Sequence, residues 1–168
     1  MTNKATIGLT NPKSPSNVGA VMRASGCYQV ESVYYTGSRY GFASKFHTDT
    51  KNVSLNIPLS PAKSLLDVVP EGASIVCVDL VEGAIPLPEF QHPENAFYIF
   101  GPEDGTIEQS VVDNAADVVY IPTIGCMNLA ATVNVVLYDR LAKAKISIDS
   151  DDLIRNSRDT NNKVKVRS

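Results

Sequence analysis

The chain lacks most of the features by which a sequence announces a common chemistry. No apolar run approaches the ~20 residues of a membrane-spanning helix, and the opening MTNKATIGLT lacks the charged-then-apolar build of a signal peptide. A cytoplasmic protein without a membrane partner is therefore expected. The cysteines, Cys27, Cys77 and Cys126, are odd in number and form no CxxC pair, and the two histidines, His47 and His92, stand at no ligand spacing from one another. No protein-built metal site is expected, and Cys27 and Cys77 read as small buried hydrophobes. No GxGxxG follows the first strand-like run, and neither a P-loop GxxxxGK nor a hydrolase GxSxG occurs. The common nucleotide enzymes and the serine hydrolases are disfavoured, and there is no internal repeat or low-complexity segment.

What is present is 168 residues, 43% of them hydrophobic, which is the size and make-up of one domain with a sizeable core. A net charge of −3 argues against a strongly electrostatic nucleic-acid binder. The charges are unevenly spread, however. The C-terminal stretch RNSRDTNNKVKVRS holds Arg155, Arg158, Lys163, Lys165 and Arg167 against Asp159, and SRYGFASKFHTDTK interleaves Arg39, Lys45 and Lys51 with Tyr40, Phe42 and Phe46. Basic residues between stacking rings suit single-stranded or loop RNA; a solvated tail and a mobile loop explain them equally well.

Periodicity gives strand-like runs at Thr6–Leu9, Ser32–Tyr35, Ile75–Leu80, Phe97–Phe100 and Val118–Ile121. Helical patterns fall between them. One runs from Ser16 to Ser25, with a serine cap at its start and Gly26 at its end. SPAKSLLDVV reads as a second, with Ser60 as cap and Pro61 as first helical residue. A third covers Ile107 to Asn114, and the longest runs from Asn128 to Lys145, where Leu129, Val133, Val136, Leu137 and Leu141 form a core-facing stripe. Strands alternating with helices predict an α/β domain, a mainly parallel sheet with helices on both faces. This unit is expected over residues 1–154, with a basic polar tail over 155–168.

Ligands of such sheets bind at the carboxyl ends of the strands. Two strand-like runs end there in glycine-containing loops, Phe97–Phe100 in GPEDG and Val118–Ile121 in PTIGCMN, where Gly101, Gly105 and Gly125 permit close backbone approach or unusual φ. Either loop alone reads as an ordinary connection; two in succession shift the balance toward a site.

Three segments in order carry a resemblance. NVGAVMR from Asn17 to Arg23, FGPEDG from Phe100 to Gly105, and IPTIGCMNLAATVNVVLYDRL from Ile121 to Leu141 resemble the three motifs of the SpoU/TrmH family of RNA ribose 2′-O-methyltransferases, within the SPOUT superfamily. The likeness spans residues 5 to 145. It implies a C-terminal deep trefoil knot, an exception to the rule of unknotted chains, an S-adenosylmethionine pocket formed by that knot, and a homodimer with the site at the interface. By the same resemblance Asp79, Leu80, Gly101, Ile121, Cys126, Met127 and Leu129 hold the cofactor, largely through backbone groups. Short members of the TrmL type act on the wobble ribose of tRNA, so tRNA is expected before rRNA as the RNA partner.

The resemblance also implies catalytic roles for Arg23, Asn17, Glu103 and Asn128. Moving a methyl from a sulfonium to a weakly acidic hydroxyl requires alignment of the two and stabilisation of a developing alkoxide. Arginine is too weak an acid to be a base, so Arg23 reads as a forked donor to the adjacent phosphate or the 2′-oxyanion. Glu103 would position Arg23 or Asn17, and Asn128 would bond the ribose or the cofactor carboxylate; bonds to helix-start N–H groups are the simpler structural roles for both. Cys126 stands where the family commonly has serine, and GTI replaces a GL-type ending after the second motif. A knotted RNA-binding protein that has lost turnover is the competing reading, and methylation of a base nitrogen fits the motifs poorly.

Overall fold

The structure, a computed structural model, describes residues 3–44, 56–147, 150–158 and 163–168. In chain order the elements are β1 (Lys4–Leu9), α1 (Pro15–Cys27), β2 (Ser32–Tyr35), α2 (Arg39–Ser44), β3 (Leu59–Pro61), β4 (Ser74–Val78), β5 (Ile85–Pro86), β6 (Asn95–Phe100), α3 (Gln109–Asp113), β7 (Asp117–Tyr120), α4 (Leu129–Lys143) and α5 (Ser150–Ser157), with single 3-10 turns at Leu65–Val68 and Leu87–Glu89. The strands form one seven-stranded sheet in the order β3-β2-β1-β6-β4-β7-β5. Every pairing is parallel, so the carboxyl ends of β1, β6, β4 and β7 lie side by side.

Alternation along the central strands divides the core between the two faces, as the pleat requires. Ala5, Ile7 and Leu9 of β1, Val76 and Val78 of β4, and Ala96, Tyr98 and Phe100 of β6 meet Val18, Val21 and Met22 of α1 and Val133, Val136 and Leu137 of α4. The intervening Cys77, Phe97 and Ile99 pack on the opposite face with Leu65 and Ile107. Burial of each such large apolar side chain contributes about 1.5–3 kcal/mol. Gly8 lies on this second face, where a Cβ would sit 3.0 Å from Leu65 and the Phe97 ring.

The α/β architecture matches the sequence reading, and its local departures have physical causes. Helix α1 begins two residues early because Ser14, not Ser16, caps it: its hydroxyl accepts from the Asn17 N–H, and Pro15 fills the first helical position. SPAKSLLDVV is not a helix. Leu59–Pro61 pairs with β2 as an edge strand, where a proline is tolerated, and Ser64 caps only the short turn at Leu65–Val68. Cys27 is exposed rather than buried, because nine residues along a helix place it about 180° from the core-facing Val18. Leu141 is 37% exposed, whereas the other four residues of its stripe are buried. Helix α5 runs across residue 154, through the start of the stretch read as a polar tail. Lys45, Phe46, His47 and Lys51 lie outside the described residues, as does Asp159.

At the amino end of the sheet, Arg140 is buried with its guanidinium donating to the carbonyls of Lys4, Pro93 and Glu94 and to the Tyr98 hydroxyl. It thereby ties α4 to the starts of β1 and β6. Beside it, His92 Nε2–H donates to Asp139 Oδ2 and Nδ1 accepts from the Tyr98 hydroxyl, both at 2.7 Å; the carboxylate can only accept, which fixes the tautomer. Burial holds the His92 pKa below its ordinary value, with Asp139 opposing. The unfolded chain therefore binds the extra proton first as pH falls through about 6.5. Stability is expected to be level above neutrality and to decline from pH 7 to 5.5, and the urea midpoint of His92→Gln should decline less steeply over that range.

Candidate active site

The carboxyl ends of β4, β6 and β7 open into a cleft whose empty space, open mouth included, is about 680 Å³. Asp79, Leu80, Gly101, Ile121, Cys126, Met127 and Leu129 all line it, together with Glu103. The sequence reading missed Val78, Phe100, Tyr120 and Thr132, which complete the walls. The lining contains two carboxylates and no lysine, arginine or histidine. Such a donor set suits a cationic or neutral group with apolar surface and disfavours a phosphorylated one.

Backbone geometry explains the glycines. Gly125 has φ +84, in the left-handed region. Gly101 has an ordinary φ, yet a Cβ on it would lie 2.4 Å from Asp79 Oδ2. That oxygen accepts from the Ile107 N–H at 3.0 Å, while Oδ1 accepts from the Leu80 N–H at 2.8 Å. Asp79 thus ties the end of β4 to the loop after β6.

Residues from all three motif segments meet at the rim. Asn128 caps α4, its Oδ1 accepting from the N–H groups of Ala130 and Ala131. Its amide nitrogen is then free to donate to Asn17 Oδ1 at 2.9 Å, and Asn17 Nδ2 donates in turn to Glu103 Oε1 at 3.3 Å. Glu103 also accepts from the N–H groups of Lys13, at 3.1 Å, and Ser14, at 3.4 Å, at the start of α1. The carboxylate therefore completes an anion site at a helix N-terminus, favoured by the helix dipole. Both simpler readings hold for Glu103 and Asn128, and the bonds to Asn17 are additional.

Arg23 is not part of this chain of hydrogen bonds. Six residues along α1 place it about 9 Å farther along the axis and about 120° around from Asn17. It is exposed, makes no hydrogen bond or ion pair among the described residues, and does not line the cavity. Of the two partners expected for Glu103, Arg23 or Asn17, it is Asn17 that Glu103 bonds.

A different arginine meets the loop after β6. Arg39 grips Asp104 with both terminal nitrogens, at 2.7 and 2.9 Å, and donates to the Asn11 carbonyl at 2.6 Å. The guanidinium holds the Asp104 carboxyl below the usual carboxylate range. In sequence Arg39 is one cation in a basic loop, and nothing in its spacing points to Asp104.

The three thiols differ sharply in environment. Cys77 is buried and its pKa is pushed up to about 11 by burial, then by nearby Asp79, whereas Cys27 and Cys126 are exposed. Thiol titration of the native protein at pH 8 is expected to count two reactive groups, and three after unfolding, because the thiolate is the reacting species. A ligand filling the cavity should protect one of the two, Cys126.

Solved structures of low sequence identity share this fold. The A. aeolicus TrmH/SpoU tRNA modifying enzyme is 17% identical with a TM-score of 0.67, over 84% of this chain and 76% of its own. The SpoU methyltransferase AviRb from Streptomyces viridochromogenes, in complex with AdoMet, gives 16% and 0.70, over 85% of this chain and 58% of its own. A structure described for the 2-OH methylation of C/U34 on tRNA gives 22% and 0.69, over 84% of this chain and 96% of its own. This chain thus spans little more than half of the longer relative and nearly all of the short one. No curated protein matches it in sequence. The fold is that of the TrmH/SpoU RNA methyltransferases. The profile of the SpoU rRNA Methylase family matches residues 4–138, and the chain belongs to that family. By its description that family is one of RNA methylases.

Proposed function

We propose that this protein methylates the 2′-hydroxyl of a ribose in RNA, with tRNA favoured over rRNA and the wobble nucleotide as the first candidate. The carrying observation is the convergence of the three motif segments on one cavity rim through Asn128, Asn17 and Glu103. The cavity fits the cofactor by its chemistry: apolar walls for a nucleoside, glycine loops offering backbone groups, and an acidic lining compatible with a sulfonium. When bound, S-adenosylmethionine supplies an electrophilic methyl group. Asp79, Leu80, Gly101, Ile121, Cys126, Met127 and Leu129 would hold it.

The chain's own residues orient the acceptor. The Asn17–Glu103 pair fixes the start of α1, and with it the direction in which the exposed face of that helix presents Arg23. Arg23 donates to the phosphate or the developing 2′-oxyanion beside the methyl donor, and the hydroxyl proton leaves to phosphate or water. Its distance from Asn17 along α1 and its lack of a partner among the described residues fit a site shared between two protomers, so that Arg23 serves the cavity of the partner in a homodimer. The knot of the C-terminal half, a methyltransferase unit over residues 1–154 with a basic tail beyond, and a cytoplasmic location belong to the same reading. Among the described residues no helix is long and apolar enough to cross a membrane.

The tRNA preference rests on the near-complete coverage of the structure described for C/U34, and the family's description as rRNA methylases favours the second substrate class. Ribose-methylation mapping of total tRNA and rRNA, from cells with and without this gene, separates them. Loss of one 2′-O-methyl, restored by the unmutated gene and not by Arg23→Ala, is expected in tRNA. Loss in rRNA would reverse the preference, and an unchanged map would sink the ribose reading.

A further inference from the structure

Glu103 and Asp104 are adjacent carboxylates held by different parts of the chain. Glu103 grips the start of α1, and Asp104 is held by the fork of Arg39 at the start of α2. The same Arg39 nitrogen that reaches Asp104 Oδ1 also donates to the Asn11 carbonyl, two residues before Lys13. Asn11 is itself fixed from the other side, because its N–H donates to the Thr36 hydroxyl at 3.1 Å.

This arrangement carries local costs. Asn11 has φ +40, uncommon for a residue with a side chain. Gly37 lies so close that a Cβ there would be 2.0 Å from Asn11 Oδ1. Two buried polar atoms of the cluster, Asn11 Oδ1 and Arg39 Nε, have no hydrogen-bond partner among the described residues. An exposed ion pair contributes little stability on its own, so stability does not account for the strain and the orphaned atoms. Strained backbone and unsatisfied polar groups gather where geometry is held for function.

We propose that Arg39 is a positioning residue for methyl transfer: its fork, shared between Asp104 and the Asn11 carbonyl, fixes the loop carrying Glu103 against the segment leading into Asn17. The inference rests on the reading that the Asn17, Glu103 and Asn128 cluster serves the active site. Arg39 itself touches neither the cavity nor the three clustered side chains. A lysine cannot replace it, because a single ammonium does not span both carboxylate oxygens and a carbonyl in fixed geometry.

The test compares Arg39→Gln, Arg39→Lys, Asp104→Asn and the double variant Arg39→Gln with Asp104→Asn, all in the full chain. Hydrogen exchange of the Lys13 and Ser14 amides, which Glu103 accepts, reads the clamp without reference to activity; it should quicken at least about fivefold in each variant. With the RNA identified by mapping, kcat should fall about tenfold while KM for RNA and cofactor affinity stay within about twofold. The double variant should be no worse than either single one, as for two halves of one interaction. Unchanged amide exchange in Arg39→Gln overturns the proposal. So do losses that multiply in the double variant, or a loss confined to KM with a shallower salt dependence, which would make Arg39 an RNA-phosphate contact. Absence of RNA methylation by the wild-type protein would remove the proposed function, and the amide exchange would still decide the clamp.

Discussion

Arg23→Ala is expected to lower RNA methyl transfer by about 10²- to 10³-fold while S-adenosylmethionine affinity changes less than about twofold, as for loss of one donor aimed at developing charge. The split follows from placement. Arg23 is exposed on α1 and lies outside the cavity lining, so removing it leaves the walls intact. Its exposure and its lack of a partner among the described residues also predict a thermal midpoint close to that of the parent, since such a side chain contributes little to stability. Arg23→Lys separates the fork from the charge: it should recover only a small part of the rate, because one ammonium cannot reproduce two parallel N–H donors. Single-turnover methylation with saturating cofactor, beside calorimetric titration of the cofactor, measures both quantities. Full activity in Arg23→Lys would remove the forked-donor role. Mixing Arg23→Ala protomers with protomers carrying a disabled cavity adds a test of sharing: activity regained in the mixture is expected if Arg23 serves the partner's cavity, and none if it acts within its own protomer.

Gly101→Ala is expected to weaken S-adenosylmethionine binding by at least about tenfold, the equivalent of roughly 1.4 kcal/mol. The added Cβ would lie 2.4 Å from Asp79 Oδ2 and 3.1 Å from its Cγ, and the carboxylate has no free direction of retreat because its oxygens accept from Leu80 and Ile107. Either the Ile107 bond breaks, a charge-assisted bond that typically contributes about 1.5–3 kcal/mol, or the loop after β6 moves away from the end of β4. Both outcomes reshape the cavity wall. Gly26→Ala is the control, since nothing lies within 4 Å of a Cβ built there, and it should bind cofactor as the parent does. Cofactor binding within about twofold of the parent in Gly101→Ala would show that the contact relaxes freely and that Gly101 does not set the cavity.

Much of this was legible in the sequence because it depends on patterns that few folds share. The apolar runs that became β1, β6 and the second half of β4 are buried on both faces, and such strands read as near-continuous hydrophobic stretches. The two glycine loops stood out because each interrupts such a run, and both line the cavity. The short edge strands β3 and β5 were not legible, since three and two residues carry no period, and Pro61 and Pro86 pointed away from strand. Arg140 was equally hidden: within LYDRL it looks like any solvated charge, and only the carbonyls at the starts of β1 and β6 make its burial tolerable. The partnership of Arg39 with Asp104, 65 residues apart, arises from packing alone. Local pattern reports on what a segment buries, and it is silent on which distant polar group it will meet.

The bond between Asn128 and Asn17 closes over 111 residues of chain, and that of Arg140 with the Lys4 carbonyl over 136. Closing a loop of that length costs only slightly more entropy than closing a short one, yet nothing rewards the closure until the last partner has been made. A chain still being synthesised therefore has no rim of asparagines and no finished cavity until the residues of α4 have left the ribosome. The proposed site for the methyl donor is incomplete on the unfinished polypeptide, so an enzyme that modifies RNA emerges from a machine made of RNA with its chemistry switched off until α4, the last helix to line that cavity, is in place.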